Sequence, residues 1–381
     1  MHEIKTDVPR RGRKHQRSMK VLSLFTGIGG FELGIQQAYE NNRKLLQGQT
    51  AKNLRKGLSD TSSGQDRPTC IGYSEIDKYA TQIYQKHFNH KNYGDITKIN
   101  ETELPDFDFL CGGFPCQSFS IAGKRRGFED TRGTLFFDIA RILKAKKPRL
   151  LLLENVKGLL SHDGGKTFRT IIATLAELGY DLQWQVLNSK NFGVPQNRER
   201  VFIIGYSRGT TRPEVFPIIG ESEEDTRTMG QEISYTIDAN YHKGTNTLEK
   251  SRRQVIRQPF IQNPKMMNYK KDYENSVAIT ATSYKEPPVV SGIRRLTPTE
   301  CERLQGFPDG WTENGIRVHE ECYRPSILKA GGFNRCYGLG CHWNDEPIKI
   351  SDTQRYKTLG NAVTVNVIQA IMERLLNHPT L

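Results

Sequence analysis

Short apolar runs alternate with amphipathic stretches along the first half of the chain. The run MKVLSLF (19–25) predicts a strand, and the glycine-rich TGIGGFELGIQQAYE after it leads into a helical pattern. TCIGYSEI followed by DKYATQIYQKHF repeats that order, as does FDFLCGGF followed by GTLFFDIARILKAKKP. RLLLLENV is the most apolar strand, and its unbroken leucines 150–153 predict a central parallel strand buried on both faces. TFRTIIATLAELGY predicts a further helix and RVFIIGYS a further strand. Strands alternating with helices make right-handed βαβ units. The predicted class is therefore α/β, a mostly parallel sheet covered on both faces.

The rhythm stops near Arg208. From there to about Asn344 the chain is polar and turn-rich with short β-like pieces, which predicts a second, smaller domain over 208–344 beside a first over 19–207. Residues 345–381 regain a helix, with Val363, Val367, Ile371 and Leu375 at helical spacing, and are expected to return to the first domain. Residues 1–18 read as a basic disordered arm, and the polar stretch 41–68 as an inserted bulge. No internal repeat is visible.

A chain of 381 residues suits one large and one smaller domain. No apolar run approaches the roughly 20 residues of a membrane span, so a membrane protein is not expected. The basic start lacks the apolar segment of a secretory signal. Seven cysteines, an odd number, argue against a disulfide framework and for a reducing cytoplasm. The net charge of +13 suits a polyanionic partner without identifying one.

Five constellations carry candidate chemistry. In FTGIGGFELG, glycines between strand and helix either let a ligand approach the backbone or make a tight turn. Glu32 stands where a dinucleotide fingerprint has its third glycine, and a carboxylate there disfavours a pyrophosphate. Glu75 follows the second strand, where doubly wound sheets bind ligands; it takes ribose hydroxyls or simply favours the helix N-terminus. Asp95 in GDIT is a similar acid. Cys116, in GGFPCQSFS, sits in a polar, glycine-flanked loop that suits a nucleophile better than a core thiol, whereas Cys70 and Cys111 read as buried. Glu154 ends the most apolar strand, where a carboxyl can hold a proton and give it up. Arg198 and Arg200 in PQNRERVFIIG share one face of an extended segment, as a grip for a carbonyl oxygen or phosphate or as a solvated cluster.

These pieces in this order resemble the C5-cytosine DNA methyltransferase family of restriction–modification systems. The matching stretches are FTGIGGFELG, SEID, GDIT, GGFPCQSFSIAGKRRGFEDTRGTLFFDIARIL, LLLENVKG, PQNRERVFIIG, RRLTPTECERLQGFPDGW and RYKTLGNAVTVNV. The resemblance implies an S-adenosylmethionine-dependent, Rossmann-like catalytic domain, S-adenosylhomocysteine as product, no metal, and a smaller target-recognition domain. It implies that Phe25, Gly27 and Gly29 line the methionine side of the cofactor, that Glu75 takes the ribose and Asp95 the adenine amine, and that Asn361 and Val363 close the pocket. Ile76, Ile96 and Pro115 belong to the same pocket. Cys116 would add to C6 of a flipped-out cytosine, Glu154 would hold N3 and the exocyclic amine, Arg200 O2, and Arg198 the cysteine loop. Gln117, Ser120, Lys124, Arg125 and Arg126 would meet DNA on a closing loop, with Lys243, Arg252 and Arg294 as cationic contacts further on.

The implied partner is double-stranded DNA, read by a monomer in the cytoplasm, with a restriction endonuclease acting on the same site. One branch of the family acts on tRNA; the long 208–290 segment favours duplex DNA. Three stretches depart from the pattern: 41–68, 314–349 and Ala122. His319, Cys322, Cys336, Cys341 and His342 lack a C-x-x-C pair, so no zinc site is expected.

Overall fold

The computed structural model describes residues 18–54, 67–115, 135–218, 234–235, 255–258, 292–316 and 347–377. Six strands form the main sheet: β1 (Lys20–Leu24), β2 (Thr69–Ser74), β3 (Phe109–Gly113), β4 (Leu150–Val156), β5 (Tyr180–Asn188) and β7 (Glu199–Ser207), with the two-residue β6 (Gln196–Asn197) between the last two. Their spatial order is β2-β1-β3-β4-β7-β5. β1 pairs in parallel with β2 and β3, and β3 with β4. β7 runs antiparallel to both β4 and β5. The connection from β5 to β7 is too short for a crossover helix, which forces this reversal. β5 itself was not expected from the sequence.

Side chains alternate across the sheet, so each strand feeds two cores. Leu150 and Leu152 of β4 join Phe31 and Ile35 of α1 (Gly30–Leu54) on one face. Leu151 and Leu153 join Ile139 of α3 (Leu135–Lys146) and Ile171 of α4 (Lys166–Glu177) on the other. Burying each such leucine contributes about 1.5–3 kcal/mol. α2 (Lys78–His87) lies between β2 and β3 in sequence, its N-terminus capped by Asp77.

α1 continues to Leu54, so the stretch expected as an inserted bulge from residue 41 begins as helix. Its anchor is distant in sequence: Asn41 Nδ2 donates to Glu373 Oε1 at 2.9 Å and Asn42 Nδ2 to Asn377 Oδ1 at 3.1 Å. Both acceptors flank the end of the last helix, α7 (Val365–Leu376), in which Val367, Ile371 and Leu375 are buried.

Within the span 208–344, the described residues include two segments that join other parts of the chain. Val215, Phe216 and Ile218 belong to the first core. They are stitched to β5 by glutamines: Gln183 Oε1 accepts from the Val215 and Phe216 amides, and Gln185 Oε1 from that of Ile218. Leu296, Cys301, Leu304, Phe307 and Trp311 form a third cluster with Ile28, Ile83, Tyr356 and Leu359. That segment contains α5 (Pro298–Leu304), closed by a Thr297–Glu300 capping box. Between these anchored ends the described pieces are β8 (Ser234–Tyr235), parallel to β6, and the ribbon of β9 (Val255–Gln258) with β10 (Gly292–Arg295), where Arg294 pairs with Ile256. β11 (Asn314–Gly315) pairs antiparallel with β12 (Ile348–Lys349), and α6 (Asp352–Asn361) precedes α7. No helix among the described residues is long and apolar enough to cross a membrane.

Candidate active site

The parallel strands β1 to β4 end on one edge, and the reversed β7 begins there. Glu154 stands near the end of β4 and Arg200 near the start of β7, where Arg200 pairs with Val156 and Phe202 with Glu154. The Arg200 Nε–Glu154 Oε1 distance is 3.0 Å, with both side chains largely buried. On the other side of β4, Gly113 of β3 is in register with Glu154. A Cβ at Gly113 would lie 2.8 Å from Glu154 Oε2 and displace the carboxylate. Asn155 is buried, and its Nδ2 donates to the Phe114 carbonyl at 2.9 Å. The end of β3 is thereby fixed just before the exposed Pro115. Asn155 was missed by the sequence reading, although it lies within the ENV stretch. Cys116, Gln117, Ser120, Lys124, Arg125 and Arg126 lie outside the described residues, as do Lys243, Arg252 and the 319–342 Cys/His group.

The described partners of the two arginines differ. The strand is interrupted at Arg198, between β6 and β7. The Arg198 side chain is buried and its Nη2 donates to the carbonyls of Gly360 at 3.2 Å and Ala362 at 2.8 Å. It therefore holds the C-terminal end of α6, where a cation is favoured by the helix dipole. Asn361, between those carbonyls, is exposed, while Val363 packs against Gly30.

One strand over, the turn after β1 forms the second half of the cleft. Phe25 and Gly27 have φ of 53° and 59°, a left-handed turn that aims the Gly27 amide at Glu75. Glu75 Oε2 accepts from Gly27 N and Oε1 from Ile76 N and Asp77 N, each at 2.8 Å. Burial raises the Glu75 carboxyl above its ordinary range, and these three backbone bonds oppose that shift. Buried Asn92 braces the loop: it accepts from the amides of Glu75 and Gly94 and donates to the Glu75 carbonyl. Ile76 is 76% exposed beside them. Asp95 caps a short 3-10 turn through Thr97. Ile96, the next residue, is buried with Leu104 and Phe107.

Glu32 also turns inward. It is buried beneath the turn, where its Oε1 accepts from Thr26 Oγ1 at 3.3 Å and from Tyr84 OH at 3.2 Å. Burial raises its carboxyl above the ordinary 4.5. The folded protein thus holds this proton more tightly than the unfolded chain. The resulting stability is complete below the ordinary glutamate range and is lost as pH rises through the raised value. In melts from about pH 5 to about pH 8 the wild type should lose ground steadily against Glu32→Gln. Parallel curves would contradict this. Cys70 and Cys111 lie nearby in β2 and β3, and burial pushes the Cys70 thiol up to about 12 and that of Cys111 well up. Neither suits a nucleophile.

A groove of about 640 Å³ lined by Gln183, Trp184, Gln185, Glu214, Phe216 and Pro217 opens at β5, the edge of the sheet opposite β2. It contains none of the cleft residues.

The C-5 cytosine-specific DNA methylase family model matches residues 19–324. The Type II methyltransferase M1.ScrFI of Lactococcus lactis subsp. cremoris is 36% identical over 367 residues, 94% of this chain and 78% of that protein. The Type II methyltransferase M.NgoBI of Neisseria gonorrhoeae is 40% identical over 301 residues, 77% of this chain and 84% of that protein. Among solved structures, S. pombe Dnmt2 methyltransferase aligns with a TM-score of 0.56 at 16% identity, over 95% of this chain and 100% of that one. This last likeness is one of fold.

Proposed function

This chain belongs to the C-5 cytosine-specific DNA methylase family and is a DNA (cytosine-5) methyltransferase; from that premise we propose that it methylates one cytosine within a specific duplex sequence, using S-adenosylmethionine and base flipping. The observation that carries this reading is the Glu154–Arg200 pair at the strand ends, one strand from the turn that joins Gly27 to Glu75.

The residues at that turn fit the donor. A Cβ on Gly27 or Gly94 would meet nothing within 4 Å, so both loops border open space. The exposed Ile76 offers an apolar face for an adenine, Glu75 has acceptor capacity left for a ribose, and Asp95 stands beyond. When bound, S-adenosylmethionine supplies a methyl group on a positively charged sulfur, which suits carboxylates better than a pyrophosphate would.

The chain's own groups do the rest. Cys116 would add its thiolate to C6 of the flipped base, which makes C5 nucleophilic. Glu154 would hold N3 and the exocyclic amine as charge builds, and Arg200 would hold O2. Arg198, which holds the 360–362 backbone, would also help position the cysteine loop. Loss of the C5 proton lets the thiolate leave and restores Cys116. Flipping costs a few kcal/mol of unstacking. The closing loop at 120–130 and the material between the anchored segments 208–218 and 296–316 would supply DNA contacts, Lys124, Arg125, Arg126, Lys243, Arg252 and Arg294 among them. The product would be S-adenosylhomocysteine. Duplex DNA is the partner of a cytoplasmic monomer, and a restriction endonuclease cutting the same site fits the Type II relatives.

Incubation with tritiated S-adenosylmethionine tests this reading. Label is expected at C5 of cytosine in duplex DNA, at one sequence in bisulfite maps of a host expressing the protein. Label in tRNA alone, or in neither substrate, would overturn it.

A further inference from the structure

We infer that Trp311 and Lys357 are positioning residues for the S-adenosylmethionine pocket, acting through the Ile28 carbonyl and the Asp77 carboxylate. This rests on the donor assignment above. The two loops of the pocket meet through a side chain at one bond, Gly27 N to Glu75 Oε2. Each is also bolted from behind by the C-terminal part of the chain.

The first bolt is the indole. Trp311 Nε1 donates to the carbonyl of Ile28, the middle residue of the glycine turn, at 3.0 Å in a buried setting. The indole is held rigidly in turn. His87 stacks on it at 3.6 Å and 4° between planes, and His87 Nε2 lies 2.8 Å from the Trp311 carbonyl. Phe88 packs edge-on to the indole, and a Cβ on Gly29 would sit 2.4 Å from the Phe88 ring. The turn is thus pressed onto an aromatic floor, and one directed hydrogen bond sets its height. An apolar ring of similar size would keep the floor and lose the bond, leaving a buried carbonyl without its donor.

The second bolt is ionic. Lys357 Nζ lies 2.7 Å from Asp77 Oδ2, while Asp77 Oδ1 caps α2 and the Asp77 amide donates to Glu75. Burial raises the Asp77 carboxyl, but the Lys357 bond and the backbone donors outweigh it and hold the group below its ordinary range. Lys357 belongs to α6, the helix whose end carries Asn361 and is gripped by Arg198. One helix therefore braces the Glu75 loop through Lys357 and carries Asn361 at the end that Arg198 holds.

Calorimetric titration of S-adenosylmethionine and S-adenosylhomocysteine into the full-length protein, without DNA, tests the inference. Trp311→Phe is expected to raise Kd about 5- to 20-fold, and Lys357→Met about 2- to 5-fold, with Lys357→Arg restoring most of the loss. In turnover the donor KM should rise in step while kcat at saturating donor and the affinity for duplex DNA stay within about two-fold of wild type. If the wild type binds and both variants bind equally well, or if kcat and DNA affinity fall as far as donor affinity, the positioning role is refuted. A wild type that binds neither molecule would overturn the donor assignment and this inference with it.

Discussion

Cys116→Ser is expected to lower methyl transfer to duplex DNA by at least about 10³-fold while leaving duplex binding intact. The proposed attacking species is a thiolate. A cysteine ionises near pH 8.5, within reach of neutral solution, whereas a serine hydroxyl needs a dedicated base to act at all. The approach to this residue is fixed. Gly113 is locked in register with Glu154, the Phe114 carbonyl is held by Asn155, and Pro115 follows. Covalent geometry places the next Cα about 3.8 Å beyond that of Pro115. The described backbone up to Pro115 is therefore anchored in the sheet beside the Glu154–Arg200 pair. Tritium incorporation reads the rate. Duplexes carrying 5-fluorocytosine at the target provide the second readout, because fluorine cannot leave as a proton. The wild type should give an SDS-resistant adduct on them and the variant none. Transfer at the wild-type rate by the serine protein would remove this residue as the nucleophile.

Glu302→Ala is expected to destabilise the fold by about 3–5 kcal/mol, the cost of leaving one half of a buried ion pair alone. Glu302 is fully buried. Its Oε2 accepts from Gly310 N at 2.7 Å, and its Oε1 from Thr312 N at 2.8 Å, from the Thr312 hydroxyl, and from Arg355 Nη2 at 3.1 Å. Arg355 Nε donates to Thr312 Oγ1 at 3.0 Å. Removing the carboxylate leaves the guanidinium only the exposed Asp352, 3.5 Å away, as a charged partner, strands two amides and loosens the segment that carries Trp311. Urea unfolding measures the loss. Glu302→Ala combined with Arg355→Met should recover part of it, since no charge is then left unpaired. Arg303–Asp309, one residue along, is the contrast: that pair is on the surface, and Asp309→Asn should be nearly silent. Equal losses from the buried and the exposed substitutions would defeat the argument.

Much of the sheet was legible because parallel strands buried on both faces must be apolar throughout. β1, β3 and β4 announce themselves that way, and α2, α3 and α4 lie where the helical spacing put them. β5 escaped notice because Gln183 and Gln185 look like solvent-facing residues. They face protein, but their partners are the amides of Val215, Phe216 and Ile218, which no local pattern reveals. The extension of α1 past Asn41 depends on partners 332 and 335 residues away. The site divides in the same way. That Glu75, Glu154 and the end of β3 share one edge follows from strand ends alone. That Arg198 leaves its neighbour for the α6 carbonyls, that Glu32 faces inward, and that Trp311 reaches Ile28 across 283 residues are tertiary facts. Spacing along the chain carries no trace of them.

The reversed course of β7 decides which half of the reaction centre is stiff. Because that strand enters the sheet from the cleft side, the guanidinium and the carboxylate ride two rungs apart on one ladder, like two marks on a ruler. In the proposed reaction, an arriving pyrimidine would meet a template whose spacing is already set. In that reaction, this pair would be the part that need not rearrange.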